Sequence, residues 1–268
     1  MMDTLAILSH VVPSIGVITS NALLLTTMPT ILLIRHSGRL GAYYPVPTVL
    51  GLLNCLAWLL FAIYTQDPYV FASNIGGVGL SAFYLLTAYE AKDITRGVRD
   101  TMAIFLACGL VTLMTSSMVN SVILPRYFSD AVDLLEAQKT VAGLVAVGAQ
   151  FTFYSSPLLA FREALRAKNS IYFHRPLAYA LSINSALWLT YGFLIDMPFM
   201  YVPSTISLLI ALMQILCCSM WPATPFDDEE HAPALPAAGE GEAPRAPIHL
   251  RAPHVTARQS RRCYSMIM

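Results

Sequence analysis

Seven stretches of the chain contain no Asp, Glu, Lys, Arg or His: Val11–Ile34, Tyr44–Gln66, Tyr69–Tyr89, Thr101–Pro125, Val141–Phe161, Leu177–Ile195 and Met197–Phe226. A helix needs roughly 17–25 residues to cross the hydrocarbon core of a bilayer. Each stretch meets that length, and the charged residues between them fall in short clusters. The pattern predicts an all-α membrane protein with seven transmembrane helices. The first apolar run lacks a basic leader and is expected to serve as its own insertion signal.

Composition supports this. The chain of 268 residues is 56% hydrophobic and 12% charged, against about 25% charged in a soluble domain. The net charge of zero conceals an asymmetry. With the N-terminus outside, the inner connections hold Arg35, Arg39, Lys92, Arg96, Arg99, Arg162, Arg166, Lys168 and Arg175. The outer ones hold Arg126 and Lys139. Basic residues flanking spans stay cytosolic, so the N-terminus is expected outside or lumenal and the C-terminus in the cytosol. Residues Pro222–Met268 change character: they are rich in Pro, Ala, Glu and Arg, with the acidic run Asp227–Glu230 and a basic RQSRR end. Such a segment buries too little apolar surface to fold and is expected to be a disordered cytosolic tail. Cys55, Cys108, Cys217, Cys218 and Cys263 are too scattered for a disulfide framework and are expected to be free thiols.

The membrane region repeats. NCLAWLLFAIYTQDP (Asn54–Pro68) and NSALWLTYGFLIDMP (Asn184–Pro198) share Asn, Trp, Leu and Pro at a constant offset of 130. Upstream, TTMPTILLIR (Thr26–Arg35) faces SSPLLAFR (Ser155–Arg162). Spans 1–3 therefore resemble spans 5–7, and span 4 is a linker. An odd linker span puts the two repeats in the same orientation, related by an axis along the membrane normal. The expected architecture is two parallel three-helix bundles joined by a linker helix, 3+1+3. The units are residues 1–89, 90–139 for the linker with its loops, 140–221, and the tail 222–268.

This layout, with PVPTVLGLLNCLAW, FYSSPLLAFREALRAKNS and ALWLTYGFLIDMPFMYVPS, resembles the SWEET sugar transporters of the PQ-loop group over about residues 12–221. The resemblance implies a uniporter passing mono- or disaccharides down their gradient by alternating access. It implies a proline tetrad at Pro29, Pro47, Pro157 and Pro176 that bends helices during gating, and pocket tryptophans at Trp58 and Trp188. The pocket asparagine of span 3 would be Asn74. Its counterpart in span 7 is Ser204, where the family usually has Asn. Asn54 and Asn184 would lie one turn before the tryptophans, and Thr27 and Ser155 two residues before a proline. Relatives often latch the outer side with a Tyr three residues after the first tryptophan and an Asp after span 6. Here these positions are Phe61 and Asp196, so the outer gate is expected to close by packing alone. The implied partners are a sugar (glucose or a related hexose, with sucrose the alternative) and the lipid bilayer, with no cofactor and no nucleic acid. A homo-oligomer stays open. The plasma membrane is the expected location, a vacuolar or other endomembrane the alternative.

The residues support this reading independently. Asn54, Asn74, Asn184, Thr27, Ser155 and Ser204 offer uncharged donors and acceptors, which suit sugar hydroxyls. The competing role is interhelical bonding at about 0.6–2 kcal/mol each. An indole gives a flat face for the C–H face of a pyranose, and two could sandwich it. Gly76, Gly77 and Gly79 are expected to let span 3 pack closely. The charge-free stretches lack the titratable groups that proton-coupled carriers use, so passive carriage of a neutral solute is expected. The six histidines lie outside these stretches and no metal spacing appears, so no enzyme is expected. The resemblance implies that Asn54 and Asn184 narrow the pocket and favour hexose over sucrose, while the small Thr27 and Ser155 pull the other way. A different PQ-loop carrier of a small neutral solute and a seven-helix receptor are the alternatives. The internal repeat weighs against the receptor.

Overall fold

The computed structural model describes residues 2–41, 43–170, 173 and 175–222. The tail reading, including Cys263, lies outside them. The helices are α1 (Met2–Leu25), α2 (Met28–Ser37), α3 (Val46–Thr65), α4 (Pro68–Tyr89), α5 (Arg96–Met118), α6 (Leu124–Tyr127), α7 (Ala131–Ala167), α8 (Arg175–Leu194) and α9 (Pro198–Met220). A π-helical turn, Val119–Ile123, joins α5 to α6. Among the described residues, seven helical stretches are long and apolar enough to cross a membrane. Span 1 is α1 with α2, span 4 is α5 through α6, and the others are single helices. The protein is an all-helical, seven-span membrane protein.

α2, α5, α7 and α8 outrun the charge-free stretches and carry charge at their ends, whereas α3, α4 and α9 carry none. Side-chain caps mark three starts. Asp67 accepts from the backbone N–H groups of Tyr69 and Val70, Thr95 from Val98, and Asp130 from Val132 and Asp133. Each satisfies donors that the first turn leaves without intrahelical partners. Gly38, at φ 68°, closes α2 with a left-handed residue, a conformation that costs glycine little.

The prolines correct the expectation of four bends inside helices. Pro29 and Pro47 occupy the first turns of α2 and α3, and Pro176 is the second residue of α8. A proline there loses no intrahelical hydrogen bond. Of the four, Pro157 alone lies inside its helix. Pro29 does mark an interruption, because span 1 breaks at Thr26–Thr27. The break exposes the Leu24 carbonyl, which Tyr84 Oη of α4 satisfies at 3.0 Å.

Within each repeat the third helix packs between the other two: α4 against α1 and α3, and α9 against α7 and α8. The repeats meet through α3 on α7 and α1 on α8. These are one contact related by the pseudo-twofold axis. Span 4 lies against α3 and α7. Large apolar side chains such as Ile18, Leu86, Met114, Leu144 and Phe193 point outward, where lipid would cover them. Close approach explains two of the three span-3 glycines. A Cβ on Gly77 would come within 2.6 Å of Cys55 Sγ, and one on Gly76 within 2.5 Å of Asn21 Oδ1. Gly79 has nothing within 4 Å. Cys55, Cys108, Cys217 and Cys218 are free thiols.

Candidate functional site: a cavity between the repeats

A cavity of about 390 Å³ lies where the two repeats meet, within the range of small-molecule sites. It runs from Thr27, Tyr43, Tyr44 and Leu177 at the end bearing the basic connections to Trp58, Trp188, Val70 and Met200. Asn54, Asn74, Asn184 and Ser204 line it, as do Pro47 and Pro157. No described lining residue is Asp, Glu, His, Lys or Arg. Among the described residues no group of three or more His, Cys, Asp or Glu could hold a metal.

Three of the expected binding and bending residues lie elsewhere. Ser155 is exposed and donates to the Thr152 carbonyl of its own helix at 2.7 Å; Ser156 lines the cavity in its place. The expectation counted back from matching prolines. Span 1 is broken at Thr27, whereas α7 runs unbroken through Pro157. A one-residue difference then turns a side chain by about 100°. Pro29 and Pro176 are exposed and not part of the lining.

The polar groups are unequally engaged. Asn184 Oδ1 accepts from Thr19 Oγ1 at 2.7 Å and from Ser20 Oγ at 2.9 Å. Asn74 Nδ2 donates to the Val70 carbonyl at 2.8 Å and to Ser73 Oγ at 3.0 Å. Asn54 Oδ1 is buried with no partner. Sequence reasoning missed Gln150, which accepts from Trp58 Nε1 at 2.9 Å. It also missed Ser20, which accepts from Trp188 Nε1 at 2.9 Å.

Beyond the tryptophans the cavity is closed. Phe61 is fully buried in a cluster with Ala57, Val70, Ala146, Tyr191 and Met200. Its ring meets Trp58 edge-on at 5.5 Å and Phe199 at 6.1 Å. The expectation of closure by packing alone is corrected here. Tyr191 Oη donates to Asp67 Oδ2 at 2.9 Å, with Asp67 only 9% exposed. Tyr191 follows Trp188 by three residues, so the tyrosine comes from the second repeat and the carboxyl from the first. Asp196 is exposed, at φ 50°. Close by, His10 Nδ1 meets Tyr69 Oη at 2.7 Å.

At the basic end Asp93 ties two connections together. Its oxygens accept from the backbone N–H of Leu40 at 2.6 Å and of Gly41 at 3.1 Å. Burial alone would raise its carboxyl pKa. The N–H groups of Leu40 and Gly41, its own N–H, and the Arg39 guanidinium outweigh that and hold it below the usual value. Tyr43 Oη pairs with Thr48 Oγ1 at 2.5 Å, beside the cavity mouth.

The family described as "sugar efflux transporter for intercellular exchange" matches residues 10–91 and 140–224, the stretches on either side of the linker span. The chain is 24% identical over 184 residues to "Sugar transporter SWEET1" of Drosophila pseudoobscura pseudoobscura, covering 69% of this chain and 76% of that one. It is 25% identical over 202 residues to "Bidirectional sugar transporter SWEET12" of Oryza sativa subsp. japonica, covering 75% of this chain and 64% of that one. The fold matches a solved eukaryotic SWEET transporter at a TM-score of 0.68 and 20% identity, covering 81% of this chain and 97% of that one. Two like three-helix bundles around an uncharged cavity, with the family matching on both, make this chain a member of the SWEET family.

Proposed function

We propose that this chain is a facilitative sugar carrier that prefers hexoses and works by alternating access without proton coupling. Its relatives are named as sugar transporters, some of them bidirectional. One observation carries the reading: the neutral cavity holds two indoles and three asparagines at the interface between like bundles. The indoles supply apolar faces and the amides supply hydroxyl partners. The unpartnered Asn54 Oδ1 would accept a sugar hydroxyl. A neutral lining gives no relay for coupling and disfavours charged solutes.

The conformation fits one stage of the cycle. The cavity reaches the basic end, while the Phe61 cluster and the Tyr191–Asp67 bond close the far end. The positive-inside rule puts the basic end in the cytosol, so this is the cytosol-facing state. Pro157, inside α7 at the cavity wall, is the bend about which the second repeat swings. The plasma membrane is the proposed location.

The test is uptake of labelled glucose, fructose and sucrose into proteoliposomes, with and without a pH gradient, for the wild type and Asn74→Ala. Glucose equilibrating fastest, at a rate indifferent to the gradient and reduced in Asn74→Ala, supports the proposal. Sugar accumulation driven by the gradient overturns uniport, and failure to carry any of the three overturns sugar carriage.

A further inference from the structure

Each indole of the cavity is tethered across the repeat interface. Trp58, in the first repeat, donates to Gln150 in the second. Trp188, in the second, donates to Ser20 in the first. Ser20 and Gln150 lie 130 residues apart, the offset that also separates Trp58 from Trp188 and Asn54 from Asn184. Ser20 is on α1 and Gln150 on α7, the opening helices of their repeats. The two tethers are therefore one pseudo-symmetric position filled by different side chains.

The difference alters what each half of the cavity can do. Ser20 accepts from Trp188 and donates to Asn184 Oδ1, so indole, hydroxyl and amide form one hydrogen-bonded chain. Thr19 reinforces the same amide oxygen. Gln150 does not do this for Asn54, whose Oδ1 stays buried and unpartnered. Gln150 instead neighbours the hydroxyl of Tyr154, one turn along α7. That hydroxyl donates to the Pro203 carbonyl at 2.9 Å. Gln150 thus connects Trp58 to the residue just before Ser204. The Trp188 indole and the Asn184 oxygen are satisfied internally, and the half around Trp58 keeps an acceptor in reserve.

We propose that Gln150 is a positioning residue that holds the Trp58 indole against the sugar and leaves Asn54 free to receive a sugar hydroxyl. The two halves of the symmetric cavity then have different tasks: the Trp188 side is a preset wall, and the Trp58 side is the grip. The proposal rests on the reading of the chain as a sugar carrier.

Two measurements test it together. The first is the sugar KM and maximal rate of Gln150→Leu, which keeps the bulk and removes the acceptor, beside Gln150→Glu, which keeps an acceptor oxygen. Loss of one net hydrogen bond is expected to raise the glucose KM about fivefold to tenfold with little change in maximal rate, and Gln150→Glu should recover most of it. The second is the resonance Raman signature of indole N–H hydrogen bonding, read without sugar in protein retaining Trp58 alone (Trp188→Phe with Trp221→Phe). A bonded N–H is expected, shifting to the free form with Gln150→Leu and returning with Gln150→Glu. An unchanged KM in Gln150→Leu overturns the proposal, as does a changed KM without a change at the indole. If Gln150→Leu does not fold, the spectrum with Gln150 intact decides, and a free N–H there overturns it. A wild type that carries no sugar while its Trp58 signature stays bonded would instead refute sugar carriage.

Discussion

Tyr191 and Asp67 join the two repeats at the closed end of the cavity. Tyr191 Oη lies 2.9 Å from Asp67 Oδ2, and the other carboxyl oxygen caps the first turn of α4. One side chain therefore starts a helix and ties the two repeats together at the closed end. Tyr191 also meets Trp188 edge-on at 6.0 Å, so the fastening touches the cavity wall.

Removing the hydroxyl should loosen the gate and spare the helix. Tyr191→Phe leaves a buried acceptor unmatched, at about 1–3 kcal/mol, charged mainly against the closed end. Val12 of α1 packs, partly buried, against the Phe61 cluster, and the expected outcome is faster labelling of a Val12→Cys reporter by a membrane-impermeant maleimide in a background without native cysteines. Asp67→Ala loses the cap as well, at about 0.5–2 kcal/mol more, and should also lower thermal stability. Equal reporter labelling in Tyr191→Phe and the parent would show that packing around Phe61 suffices.

The tetrad prolines should separate by their place in the helix. Pro157 lies inside α7 and lines the cavity, whereas Pro176 sits exposed in the first turn of α8. An alanine at 157 restores a backbone hydrogen bond and stiffens the bend, so the maximal transport rate of Pro157→Ala should fall several-fold while the amount of folded protein holds. Pro176→Ala should transport like the parent. Equal losses in both would remove the case for Pro157 as the bend.

How much of this was legible in the sequence depends on what each feature requires. The spans could be read because lipid excludes charge over a whole helix length. The repeat could be read because Asn54, Trp58 and Pro68 recur at one offset. Tyr191–Asp67 could not, because matching the family's latch position by position looked for the tyrosine at Phe61 and the carboxyl at Asp196. The bond is made by the opposite pair, and pairing across a pseudo-twofold axis permits either sense. Ser155 failed because helix phase depends on where a span breaks, which proline spacing alone does not fix. Gln150 was within reach: it is a lone amide in an apolar stretch, 130 residues from Ser20. A comparison that seeks identical residues passes over a position filled by two different ones.

Asp93 gives a pH dependence with a definite sign. Its folded-state pKa lies below the reference of 3.8, so the unfolded chain takes up the proton first as pH falls. The stability it adds is fully present above about pH 4 and is lost as pH drops through the depressed value. Asp93→Asn should therefore melt lower than the parent by a constant margin between pH 5 and 8. The margin should close in more acidic buffer. A margin that stays unchanged on acidification would mean that the ties from Leu40 and Gly41 do not depend on the charge.

Asn54 and Asn184 are equivalent by sequence but not by circumstance, and the same substitution should act on them oppositely. Asn184 Oδ1 receives two hydroxyl protons, so Asn184→Ser strips partners from Thr19 and Ser20. Leaving such groups unmatched costs about 1–3 kcal/mol, and the melting temperature in detergent should fall. Asn54 Oδ1 has no partner to lose. Asn54→Ser removes a buried acceptor that the sugar-free protein leaves unsatisfied, so stability should hold or rise. Glucose should then stabilise Asn54→Ser less than it stabilises the parent, because the site that accepted its hydroxyl is gone. Both variants widen the cavity and should raise sucrose uptake relative to glucose. Equal melting losses in the two would mean that Asn54 has a structural partner after all, and the assignment of the Trp58 side as the grip would fall with it.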